Sequence, residues 1–285
     1  MTECRRIPFL TFTVSPSQKV KINLAGCNFD CKGCFAIAKN EVGRAFSVEG
    51  LVNLLIKSCQ QVYGKLIDDV QMTGGEPTVN TGYLLYLMRR LRELGVGKIG
   101  ISTNGYHLDE ELVKELKSCG VNYIKLDLKA YSDAIHKWYT GRSNANVLRA
   151  VKLLYECGLS FYVRTILIPD IIDLGEVEKV AEFLSQVDRS ISYKIYQFAP
   201  EHTTNKILRK SPTKERMLRA EDIARGYLDN AKAYTTESVY EPESKYIEVR
   251  ADELLNDFKK IDKISKLSIK TWDMQYFTMN QILTS

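Results

Sequence analysis

Three stretches of this chain carry the same local instruction: Leu91-Arg92-Glu93-Leu94-Gly95-Val96, Leu116-Lys117-Ser118-Cys119-Gly120-Val121 and Leu154-Tyr155-Glu156-Cys157-Gly158-Leu159. In each, an amphipathic run ends and a glycine takes the left-handed turn that other residues resist. An apolar residue then leads into a strand-like run. Repeated passage from helix to strand favours parallel pairing with right-handed crossovers. Residues 20–24, 70–73, 98–102, 123–128, 161–168 and 193–198 read as strands, and 48–63, 82–94, 109–118, 145–156 and 176–186 as helices. Leu84, Leu87, Met88 and Leu91 mark the buried face of the second helix, and Asp109 is placed to cap the third. The pattern predicts an α/β fold, a partial (β/α)6 TIM-type barrel, with its chemistry at the C-terminal ends of the strands.

Outside residues 20–205 the alternation fades. Residues 1–19 read as an N-terminal segment and 206–285 as a small α+β extension, with a helix over 215–232, a strand over 246–250 and a helix over 251–264. At 285 residues and 45% hydrophobic, the chain can bury one large core. A net charge of +5 without a block of like charges gives no nucleic-acid arm, although a basic patch formed on folding could still meet RNA or an acidic protein. No run is apolar for long enough to span a bilayer, and the first ten residues are too weakly apolar for a signal peptide. A cytoplasmic monomer is the expectation.

Of seven cysteines, three fall within residues 27–34, directly after the first strand: Gly26-Cys27-Asn28-Phe29-Asp30-Cys31-Lys32-Gly33-Cys34-Phe35. Thiols this close, in a reducing compartment, read as a metal site rather than a disulfide framework. Three thiolates would leave one iron of a [4Fe–4S] cube without a protein ligand, free to bind a substrate. Structural zinc is the alternative, but it wants four ligands and the three histidines, His107, His136 and His202, are distant in sequence. A plain loop of unligated cysteines is the blander reading.

The C-x3-C-x2-C spacing with Phe35 after the last cysteine resembles the signature of the radical S-adenosylmethionine (SAM) superfamily. The resemblance implies that Cys27, Cys31 and Cys34 hold a [4Fe–4S] cluster and that SAM chelates the open iron. An electron from an external flavodoxin or ferredoxin would then cleave SAM to a 5′-deoxyadenosyl radical, which takes hydrogen from a substrate.

Further motifs fit the resemblance. Gly74-Gly75-Glu76-Pro77, after the second strand, looks like the family's turn for the SAM amino group; by itself it could be an ordinary glycine–proline turn. Ser102-Thr103-Asn104 ends the third strand. Asp127 and Lys129 lie on one face of the fourth, where a carboxylate suits ribose hydroxyls and a lysine the SAM carboxylate, unless that face is an exposed edge. Arg164 on the fifth strand, among apolar residues, needs an anionic partner. His202 follows the sixth strand, either lining the adenosine pocket or in an exposed loop.

The motif order is similar to pyruvate formate-lyase activating enzyme and related glycyl-radical activases, which would make the substrate a partner protein. RNA, a peptide or a metabolite is the alternative, and a non-enzymatic Fe–S or zinc module the reading of another class. Ser102 stands where activases have Asp. Lys125 replaces a methionine that helps them hold a monovalent cation, so its ammonium is expected to stand in for that cation, or no cation is used. The Asp-Gly-Pro-Gly-x-Arg stretch that activases carry upstream of the cluster is replaced here by Ser15-Pro16-Ser17-Gln18-Lys19-Val20-Lys21.

Overall fold

The structure is a computed structural model that describes residues 4–203, 205, 207–239, 245–268 and 274–284. Its first strands are β1 (Cys4–Ile7), β2 (Phe9–Ser15), β3 (Lys19–Leu24) and β4 (Arg44–Ser47). Then come α1 (Val48–Tyr63), β5 (Asp69–Gly74), α2 (Thr81–Glu93), β6 (Lys98–Thr103), α3 (Glu110–Ser118) and β7 (Tyr123–Asp127). They are followed by α4 (Asp133–Thr140), α5 (Ala145–Glu156), β8 (Phe161–Leu167), α6 (Leu174–Val187) and β9 (Ser192–Gln197). The remainder is α7 (Lys214–Arg225), β10 (Ala231–Tyr234), α8 (Thr236–Val239), β11 (Lys245–Arg250), α9 (Leu255–Ser268), β12 (Gln275–Thr278) and α10 (Met279–Thr284).

One ten-stranded sheet, ordered β10-β9-β8-β7-β6-β5-β3-β2-β11-β12, organises the molecule, and β1 pairs with β4 beside it. The run from β3 through β5 to β10 is parallel throughout. The six expected strands are therefore present as a partial, unclosed barrel. The three repeated turns are built alike: Gly95, Gly120 and Gly158 have φ of 84°, 77° and 65°. In each, the next N–H reaches back to close the helix, Val96 to Leu91 O (3.0 Å), Val121 to Leu116 O (3.1 Å) and Leu159 to Leu154 O (3.1 Å). Asp109 caps α3, its carboxylate accepting from Leu112 N–H at 2.9 Å.

The sheet runs further than residues 20–205. The helix expected over 215–232 stops at Arg225, and residues 231–234 become β10, an added parallel strand on β9. On the other side β2 lies antiparallel between β3 and β11, so the N-terminal segment and the C-terminal region share this sheet. Pairing with an exposed strand edge outweighs the helical leaning of Ala231-Lys232-Ala233. The α9 helix packs near the Pro200–His202 turn, and its Phe258, Ile261, Asp262 and Ser265 line a cavity with the strands. Among the described residues no helix is long and apolar enough to cross a membrane.

Strand alternation sets what faces the lumen. In β7, Ile124 and Leu126 are fully buried beneath the helices, whereas Tyr123, Lys125 and Asp127 point inward. The lumen is thus polar, and the apolar core lies between sheet and helices.

Candidate active site

The three clustered cysteines sit in the loop between β3 and β4. Backbone hydrogen bonds pin that loop: Gly26 N–H to Ala38 O (2.9 Å), Asp30 N–H to Thr140 O (2.8 Å) and Lys32 N–H to Tyr139 O (3.0 Å). Burial pushes the Cys31 thiol up to about 12, against the pull of Lys129. Burial likewise raises Cys27, opposed by the Phe29 N–H, which donates to its sulfur at 3.4 Å. Both thiols thus give up their protons less readily than an exposed cysteine. Asn28 Oδ1 accepts from Asn104 Nδ2 at 2.7 Å and lies 4.0 Å from Cys27 Sγ, while Asn28 Nδ2 is buried without a hydrogen-bond partner among the described residues. Among the described residues, no three His, Cys, Asp or Glu side chains gather as a single ion would require.

The Gly74-Gly75-Glu76-Pro77 turn is wedged against this loop. Gly74 has φ 112°, and a Cβ on Gly75 would lie 2.1 Å from Gly26 O and 2.4 Å from Ala38 O. Glu76 points away from solvent. It accepts from Thr78 N–H (3.0 Å), Thr78 Oγ1 (2.7 Å), Thr103 Oγ1 (2.6 Å) and Asn104 N–H (2.6 Å). Arg5 takes the backbone carbonyls of Ala25 (3.1 Å), Glu76 (2.5 Å) and Pro77 (2.7 Å). Of the four turn residues, Gly74 lines the cavity that Asp127 and Arg164 also face.

Asp127 is the hub of the charged face. Its carboxylate accepts from Arg164 Nε at 2.7 Å and Lys129 Nζ at 3.0 Å. Burial works against its charge, but Arg164 and Lys129 outweigh burial and hold the carboxyl below the usual range. Burial works against the charge of the partly buried Lys129, but Asp127 outweighs it and holds the ammonium above its ordinary range. Arg164 thus has the anionic partner that its apolar surroundings demand. Ser102 lies apart, accepting from Gln71 Nε2 at 2.6 Å. Lys125 donates to Gln71 Oε1 at 2.8 Å, on the lumen floor, and burial together with Lys21 and Arg164 lowers it to about 6. This amine gives up its proton more readily than an ordinary lysine, so the expected stand-in role would require an anion beside it.

A cavity of about 550 Å³ joins these parts. Phe35, Gly74, Asp127, Lys129, Arg164 and His202 line it, and Phe35 meets His202 at a ring distance of 4.9 Å. Sequence placed these two rings far apart; folding makes them neighbours. Gly75, Glu76, Pro77, Ser102, Thr103 and Asn104 stand behind the cavity wall. Sequence reading missed Arg5, Lys21 and the far wall formed by Arg250, Phe258 and Asp262. The alternation Lys19-Val20-Lys21-Ile22-Asn23 did signal a polar face, but only barrel curvature turns that face inward.

A partial parallel barrel, with a thiol-bearing loop and a charged cavity at the carboxyl ends of its strands, defines an α/β barrel protein whose candidate site lies at that end. Residues 24–184 match the model of the Radical SAM superfamily, more than half of the chain, and the chain belongs to that superfamily. A Methanocaldococcus jannaschii protein named as a candidate glycyl-radical enzyme activating enzyme is 34% identical over 221 residues, 76% of this chain and 81% of that one. A domain of pyruvate-formate lyase-activating enzyme from Bacteroides vulgatus superposes with a TM-score of 0.50 at 21% identity, covering 58% of this chain and 97% of that one. Streptococcus suis SuiB bound to SAM gives 0.54 at 16% identity, covering 73% and 44%. The superfamily's cofactors are a [4Fe–4S] cluster and SAM.

Proposed function

We propose that Cys27, Cys31 and Cys34 hold the cluster at three corners and that SAM binds beside the fourth. When bound, this pair supplies reductive cleavage of SAM to methionine and a 5′-deoxyadenosyl radical, which takes hydrogen from the substrate. The orphaned Asn28 amide beside Cys27 supports the fit: a cluster sulfur would give this buried donor the acceptor it lacks. The scattered thiols also suit a cube, which takes each sulfur at its own corner, better than one zinc ion.

The observation that carries the reading is the Lys129–Asp127–Arg164 constellation opening on the same cavity as the cysteine loop. In this arrangement Lys129 attracts the SAM carboxylate, and Arg164 holds Asp127 in place beside it. Asp127 fixes both cations and offers an oxygen to the ribose. Gly74, with Gly75 behind it, presents backbone carbonyl to the amino group, and Phe35 and His202 flank the adenine. Glu76, Ser102, Thr103 and Asn104 act from behind by tying β5 to β6, and Pro77 fixes the turn by offering its carbonyl to Arg5. Residues 20–205 carry this chemistry, and 206–285 shape the substrate side.

A glycine in a partner protein is the hydrogen donor suggested by the relative's name. A second reading, a small-molecule substrate, is favoured by β11 and α9 walling the cavity. Anaerobic incubation with reductant, SAM and a co-encoded glycyl-radical protein separates them. A glycine-centred EPR doublet supports the first. SAM cleavage without any such doublet supports the second. No SAM cleavage contradicts both.

A further inference from the structure

The inward faces of β7 to β9 carry unequal charge. Register sets Asp127 beside Arg164 and Arg164 beside Lys194, one acid against two bases on three neighbouring strands, with the exposed Lys232 next on the edge strand. Lys194 lies over the Tyr162 ring at 4.0 Å and has no carboxylate partner among the described residues. Arg164 spends Nε on Asp127, and its terminal nitrogens make no hydrogen bond among those residues. From β3, Lys21 reaches into the same cavity, with neither a hydrogen bond nor an ion pair among the described residues. Burial, then Lys19 and Arg164, push its ammonium below the ordinary lysine range. The cavity's other acids do not compensate. Glu248 and Asp262 are both bound to Arg250, at 2.7 and 2.8 Å.

An ammonium walled into a cavity, beside another cation and without an anion, is costly unless a ligand supplies the missing charge. The SAM carboxylate answers Lys129 on the cysteine side; Lys21, on a different strand, is left over. We infer that the substrate is a small molecule whose carboxylate or phosphate seats on Lys21 and the terminal nitrogens of Arg164. This rests on the small-molecule reading of the cavity. The cavity of about 550 Å³ is shared with SAM, so the room beside Lys21 suits a compact molecule. With its oxyanion held there, the substrate would extend toward the cysteine loop, where the hydrogen is taken.

The test uses inorganic phosphate and acetate as probes, titrated calorimetrically into the metal-free chain and into the anaerobically reconstituted holoprotein with SAM present. Saturable binding of either is expected, since a charge-assisted contact to Lys21 is worth about 10- to 100-fold in affinity. Phosphate alone assigns a phosphorylated substrate, and acetate alone a carboxylate. Lys21→Met should weaken binding by at least about tenfold and Lys21→Arg should restore most of it, with SAM affinity little changed in both. No saturable binding of either anion, equal binding by Lys21→Met, or competition between the anion and SAM would overturn the inference. Failure to bind SAM would instead count against the cofactor assignment, and leaves the metal-free isotherms readable.

Discussion

Arg164 donates from Nε to Asp127 Oδ1 at 2.7 Å across the β7–β8 pair, and this bond ties the charge of the cavity to the order of the barrel. Asp127 also holds Lys129, so one carboxylate restrains two partly buried cations. Asp127→Asn should cost on the order of 1.5–3 kcal/mol in stability, since a charged acceptor is lost beneath both cations. It should also weaken SAM binding while leaving cluster iron content unchanged. Denaturant midpoints of the metal-free protein and SAM titration of the holoprotein check the two halves.

The same carboxylate sets an acid limit. Its folded pKa lies below the unfolded value of about 3.9, so its contribution is complete above that pH and is lost as pH falls through the folded value. The stability difference between wild type and Asp127→Asn should therefore shrink below about pH 4, measured as the urea midpoint across an acid series.

Lys125 behaves in the opposite sense. Its folded pKa of about 6 lies below the unfolded value of about 10.4, so the unfolded chain binds the extra proton between them. Stability should rise with pH across that window and flatten above it. Lys125→Met should remove this slope and match or exceed wild-type stability at pH 6. A wild-type profile no steeper than that of the variant would show that Lys125 remains charged on the lumen floor.

Arg5 is the least conspicuous residue in the sequence with a large expected effect. It is almost fully buried and serves the carbonyls of Ala25, Glu76 and Pro77 together. Arg5→Ala should destabilise by about 2–4 kcal/mol by leaving buried acceptors without donors. Arg5→Lys should recover little, because a single ammonium lacks the forked geometry. Thermal unfolding of both variants checks this, and SAM affinity should fall in parallel as the turn loosens.

Local signals carried much of the fold. The helix–glycine–strand units at Gly95, Gly120 and Gly158 form as their sequences dictate, and the helices at 48–63 and 145–156 match α1 and α5 residue for residue. Non-local pairing was not legible. Residues 231–234 become a strand because β9 offers an edge, and β2 joins β11 across more than 230 residues of chain.

At the candidate site, sequence pointed to Asp127, Lys129, Arg164, Phe35 and His202, and the structure gathers all five around one cavity. It could not foresee that the Glu76 carboxylate would be consumed by Thr78, Thr103 and Asn104, because Thr103 and Asn104 come from another strand end. Nor could it assign an inward direction to Lys21, whose alternating neighbours fit an outward face equally well.

The central claim, a cube held by three cysteines with SAM at its open corner, is tested most directly by one comparison. Wild type, Cys31→Ala and Cys119→Ala are reconstituted anaerobically, reduced with SAM present, and assayed for iron, sulfide and 5′-deoxyadenosine. The account predicts about four irons and four sulfides per chain, with 5′-deoxyadenosine formed, for wild type and Cys119→Ala, and neither an intact cluster nor product for Cys31→Ala. Full SAM cleavage by Cys31→Ala, or wild-type protein that takes up zinc in place of iron and releases no 5′-deoxyadenosine, would contradict it.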